Sequence, residues 1–127
     1  MEKVVIVDGK EVGFKATALT LRLYRHLLGK DMVSDMAKLM KAYRKAEALG
    51  PNATKEEKEE AQWKATDLEI FENAAWVMAR QYDPANTAKS PDEWLDGFNA
   101  FAIMEVMPTI MELWRLNQQT TSVPNVP

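Results

Sequence analysis

Apolar and polar positions follow two rhythms along this chain. Val4 to Val7 form a β-branched run, Asp8-Gly9 follows, and then Val12, Phe14 and Ala16 recur at every second position. Period two puts those three on one face of a strand, with Glu11, Gly13 and Lys15 on the other. Asp-Gly between two such runs predicts a tight hairpin, because its central residues accept positive φ. A lone hairpin is marginal in water, so its apolar face must lie on a helix or its edge must pair with another chain.

From residue 20 the spacing changes to three and four. Thr20 is placed to cap a short helix bearing Leu21, Tyr24, Leu27 and Leu28, with Gly29 as its left-handed stop. Asp31 caps the next helix, where Met32, Met36, Leu39, Met40 and Tyr43 make one apolar stripe. Its acids, Asp31 and Asp35, come early and Lys38, Lys41, Arg44 and Lys45 come late, an order that complements the helix dipole. Gly50-Pro51 ends it at about Leu49.

Thr54 with Glu57 forms a capping box and predicts one long helix from Thr54 to Tyr82, closed by Asp83-Pro84. Its first half, from Lys55 to Glu60, is charged; its second, from Leu68 to Ala79, is apolar nearly all round. A helix that is apolar on every side must be surrounded, so the second half is expected to be the central post. The whole would span roughly 40 Å, and the first half should overhang or be covered by a partner. Ser90-Pro91-Asp92-Glu93 predicts a short helix carrying Trp94, Leu95 and Phe98, weakened by Gly97. Ala100 to Leu116 is strongly apolar, and Pro108 within it either kinks one helix or separates two. Asn117 to Pro127 has no periodicity and reads as a flexible tail. The expectation is a mainly α fold with a small N-terminal β-hairpin: a compact helical domain of about five helices around one long central helix. That domain would occupy residues 1–116, and the flexible C-terminal tail residues 117–127.

At 127 residues the chain suits one domain with a sizeable core. It has no cysteine, which excludes a disulfide framework, a thiolate zinc site and a cysteine nucleophile. No apolar run approaches the ~18 residues of a membrane span, so the cytoplasm is the default location. A net charge of −3 argues against a surface built to hold phosphate backbones. Eight methionines and four tryptophans stand out in so short a chain. Both residue types fill irregular cores, and both are enriched at interfaces.

The chemistry-bearing residues form no catalytic pattern. His26 is the single histidine and has no partner at metal-ligand spacing. Glu69 and Glu72, or Asp92, Glu93 and Asp96, can face one another across helices, but acid–base work needs a cleft and raised pKa values. Gly9 and Gly13 fit no phosphate loop, and Ser34, Ser90 and Ser122 lack a nucleophile-elbow context. The chain is expected not to be an enzyme, with no catalytic, metal or cofactor site. The helix ending at Gly29 and the one after it loosely match a helix-turn-helix, yet Asp31 and Asp35 stand where base edges would be read. A protein-binding module agrees better with the overhanging helix, the methionines and the tryptophans. Trp63, in the polar half of the long helix, should be exposed or covered by a partner, whereas Trp76 and Trp114 should be core.

The order of motifs adds to this. A hairpin precedes Tyr24-Arg25 and Gly29-Lys30-Asp31; Glu69-Ile70-Phe71-Glu72-Asn73 follows, then Glu93-Trp94-Leu95, Phe98, Met107-Pro108 and Leu113-Trp114. Over residues 4–117 this resembles the tail assembly chaperones of long-tailed bacteriophages, especially those in phages and prophages of Gram-positive bacteria. The likeness rests on order and spacing, and Leu28 stands where related sequences are expected to carry an aromatic. The resemblance implies binding of the coiled, aggregation-prone tape measure protein, kept soluble while tail tube subunits polymerise around it. It implies a second, longer form made by ribosomal frameshifting, whose extension recruits tail tube protein. It implies work in the cytoplasm of the bacterial host and absence from the mature virion, with no nucleic acid, membrane or cofactor, while self-association stays open. The candidate client surface is Trp63, Met36, Met40, Met104, Met107 and Met111. The alternative is a small helical DNA-binding or regulatory phage protein.

Overall fold

The structure is a computed structural model, and it describes residues 1–60 and 63–119. β1 (Glu2–Val7) and β2 (Lys10–Lys15) pair antiparallel, with Val4 opposite Gly13 and Val7 opposite Lys10. Asp8 and Gly9 take φ of 53° and 76°, the mirror-image turn whose twist suits two paired strands. The turn is held from outside. Asn99 donates to the Asp8 carboxylate through its backbone N–H and its Nδ2, and Lys10 Nζ donates to the Gly97 carbonyl. Val7 and Phe14 are buried with Val5 and Val12 packed beside them, so the hairpin lays its apolar face on its own domain.

α1 (Ala18–Leu28) begins earlier than a Thr20 cap would place it. Thr17 is the cap: its Oγ1 accepts from the Leu19 N–H, while Thr20 Oγ1 accepts from the Thr17 N–H. Thr20 sits one turn inside and is buried, because its hydroxyl has a distant partner: it donates to Gln81 Oε1 at 2.5 Å. Gln81 Nε2 donates in turn to Thr17 Oγ1 at 2.7 Å, tying α1 to the central helix. Gly29 ends α1 with φ 65°, and Asp31 Oδ1 accepts from the Val33 N–H to start α2 (Met32–Glu47). Tyr24, buried in α1, donates its hydroxyl to Asp35 Oδ2 at 2.7 Å. Burial first, and Asp35 second, raise its pKa far above the usual phenol value.

The expected long helix is two helices. α3 (Lys55–Glu60) starts at the Thr54–Glu57 capping box as foreseen, with the Glu57 N–H donating to Thr54 Oγ1 at 3.1 Å. α4 (Ala65–Tyr82) has its own start: Lys64 is extended at φ −78°, ψ 156°, and Asp67 Oδ2 accepts from the Lys64 N–H. Just before it, the Trp63 ring lies 6.2 Å from that of Tyr43 on α2. α4, at 18 residues, is roughly 27 Å long and serves as the post. Phe71, Ala74, Ala75, Val77 and Met78 expose nothing. α1, α2 and β2 pack on it, as do two later helices, α5 (Pro91–Leu95) and α6 (Met107–Gln118). Trp76 is buried and spends its one donor on the Ala88 carbonyl at 2.9 Å. At the far end Tyr82 lies over Gly13, where an added Cβ would fall 2.1 Å from the ring.

α5 is short, as its glycine suggested, and Ser90 Oγ accepts from the Glu93 N–H. Trp94 is buried edge-on to Phe14 and Phe98, with centroids 6.4 and 5.1 Å away. Pro108 breaks nothing: a 3₁₀ turn (Ile103–Val106) runs into α6, and the proline stands in its first turn, where a missing N–H costs little. α6 carries on through Asn117 and Gln118, so the expected tail begins later than residue 117. Residues 120–127, the rest of that tail, lie outside the described residues. The architecture is mainly α with a small N-terminal hairpin, arranged about one central helix. Among the described residues, no helix is long and apolar enough to cross a membrane.

Candidate interaction groove

Two helices of this domain present the same spacing to each other across a cleft. α2 offers Met40, Tyr43, Arg44 and Glu47; α6 offers Pro108, Met111, Glu112 and Arg115. Each set falls at i, i+3, i+4 and i+7, which is one face of a helix. The cleft between them holds about 330 Å³. The two methionines belong partly to the core, with Met40 8% and Met111 3% exposed, so they bring flexible, polarizable side chains to the boundary between core and cleft. Tyr43 is half-buried and leans on Trp63, their planes 32° apart.

The charges along the rim are not equivalent. Glu112 is ion-paired with Lys3 of the hairpin, and that ammonium holds its carboxyl below the usual range. Glu47 lies beside the Tyr43 hydroxyl; burial and then that carboxylate raise the tyrosine pKa. Arg44 and Arg115 are exposed, and among the described side chains neither has a carboxylate within salt-bridge distance.

The six residues singled out in the sequence are divided by the structure. Met40 and Met111 meet in this cleft. Met36 exposes nothing and Met107 only 4%; like Met40 and Met111 they are core, but neither of these two lines the cleft. Met104 is half-buried in the 3₁₀ turn and does not line the cleft. Trp63 is half-buried, its own chain covering part of it through Tyr43. Trp76 and Trp114 are buried as expected. Sequence reasoning passed over Pro108, Arg44 and Arg115 as cleft residues. Their signal was the matched i, i+3, i+4, i+7 sets, legible only once α2 and α6 are known to be neighbours.

Other features carry less. Of the acids that could have faced one another, Glu72 has its pKa raised, by burial and then by the charges of Glu69 and Asp92. Glu72 is half-buried on α4 and lies outside the α2–α6 cleft. His26 and Ser34 are exposed on the surface. Among the described residues, no group of three His, Cys, Asp or Glu side chains is placed to hold a metal. At the start of α2, Asp31 is spent on the cap and Asp35 on Tyr24. Apolar side chains are exposed at Val4 and Ile6, which share one face of β1, at Leu19, Leu27 and Val33 on α1 and α2, and at Phe101 after α5.

The arrangement is therefore a helix-walled groove with apolar side chains between charged rims, a shape that receives an amphipathic helix. Comparison with protein-family models, with curated proteins and with solved structures finds no match to this chain.

Proposed function

We propose that this chain is a tail assembly chaperone of a long-tailed phage or prophage. It binds the tape measure protein in the cytoplasm of the bacterial host, keeps it soluble during tail morphogenesis, and is absent from the finished virion. A longer form, made by frameshifting, would recruit tail tube subunits. The observation that carries the reading is the α2–α6 groove, with Met40 and Met111 between two matched helix faces. A chaperone for a long helical client needs an adaptable apolar groove that can accept many segments, and methionine supplies the adaptability. The order of motifs along residues 4–117 supports the same reading.

Co-expression tests it. The tape measure protein encoded in the same genome, produced with this chain, is expected in the soluble fraction and in a co-purifying complex. An insoluble client and no complex would overturn the proposal.

A further inference from the structure

Resting on that reading, the asymmetry of the groove's rim points to the chemistry of its occupant. Four charged side chains line the cleft, two of each sign, and the two acids have company within the chain. Lys3 is ion-paired with Glu112, whose charged form Arg115 also favours from the same wall, and Glu47 stands one turn from Tyr43 on α2, its charge raising the tyrosine pKa. The two arginines stand on opposite walls, Arg44 on α2 and Arg115 on α6, each exposed and without a carboxylate at salt-bridge distance among the described side chains. The surroundings lean the same way on the α2 side. Residues 17–49 carry seven basic and three acidic side chains, against nine and sixteen in the rest of the chain.

We infer that the groove takes an amphipathic client helix whose apolar ridge is flanked on both sides by glutamate or aspartate. The ridge would lie on Tyr43 and Pro108, with the buried Met40 and Met111 beneath them, and the flanking acids would reach Arg44 on one side and Arg115 on the other. Arginine suits this role because its planar fork holds a carboxylate in two parallel hydrogen bonds. Charges at the rim select and steer partners more than they add affinity, so the arginines would choose among client segments that bind through the same apolar ridge.

The test uses two fluorescent helical peptides with one apolar ridge at i, i+3, i+4 and i+7, one flanked by glutamates and one by lysines. Titrated with the full chain at low salt, the glutamate peptide is expected to bind about tenfold more tightly, a preference that shrinks as salt rises. In the double variant Arg44→Glu, Arg115→Glu the preference should reverse, and a Lys58→Glu control should keep it. Equal binding of the two peptides would overturn the inference and leave the chaperone reading standing. A preference that survives in the double variant would place the acidic partner elsewhere and overturn the inference in the same way. Self-association of the free chain that disappears in the double variant would make a second copy the occupant and overturn it too. Binding of neither peptide, together with loss of the tape measure complex, would remove the chaperone reading itself.

Discussion

Along α4, from Asn73 to Ala79, side chains meet protein on every side; along the α2–α6 groove, Met40, Tyr43 and Met111 line a cleft with protein behind them. Both regions are apolar and helical, and both are rich in residues that fill cores well. They differ in completion. Three alanines, Ala74, Ala75 and Ala79, let other elements close around α4, and the indole of Trp76 finds the Ala88 carbonyl. A cleft that leaves Tyr43 half-covered and Pro108 exposed is where an interface belongs, whereas a buried post is where stability belongs.

Substitutions should separate the two regions. The largest effect is expected at the post. Trp76→Ala removes a fully enclosed ring and orphans the Ala88 carbonyl, and should cost roughly 3–5 kcal/mol by urea unfolding. For a chain of this size that is a fall of roughly 10–20 °C in Tm. At the groove the order inverts. Tyr43→Ala should cost only about 1 kcal/mol, since it removes one tilted aromatic contact and half-buried area, but should weaken capture of the tape measure protein at least several-fold in pull-down titrations. Loss of stability and binding together, in proportion, would erase the distinction.

Most of the fold was legible in the chain because its signals are local. Asp8-Gly9 needs only positive φ, Ser90-Pro91-Asp92-Glu93 needs only its own backbone, and the stripe of α2 is written in its spacing. What the sequence hid depends on residues far apart. Thr20 looks like a cap until Gln81, on another helix, claims its hydroxyl. The helix from Thr54 looks continuous, yet α4 starts afresh after Lys64, where the sequence carries no glycine or proline. The groove was half-legible for the same reason. Its methionines stood out by composition, but which of them face a cleft follows from α2 and α6 lying side by side, so Met36 and Met107 could not be told from Met40 and Met111.

The smallest expected effect tests the electrostatics of the post. Glu72 has its pKa raised in the folded state, first by burial and then by Glu69 and Asp92. Between its unfolded and folded pKa values the native state therefore binds more protons, and stability falls as pH rises through that window. Glu72→Gln removes the ionised form, so it should stabilise the chain at pH 7 by no more than about 0.5 kcal/mol. The gain should fade as pH drops below the unfolded carboxyl value near 4.3, where the wild-type side chain is neutral as well. Paired thermal melts at pH 7 and pH 4 read it directly. A gain equal at both values would detach it from the charge.

Amide hydrogen exchange with and without the tape measure protein tests the central claim most directly, because it reads every segment of the chain at once. Binding is expected to slow exchange along residues 40–47 of α2 and 108–115 of α6, with α4 already protected in the free chain and the strands of the hairpin unchanged. Protection confined to the hairpin, or a complex that leaves both groove walls exchanging as before, would contradict it.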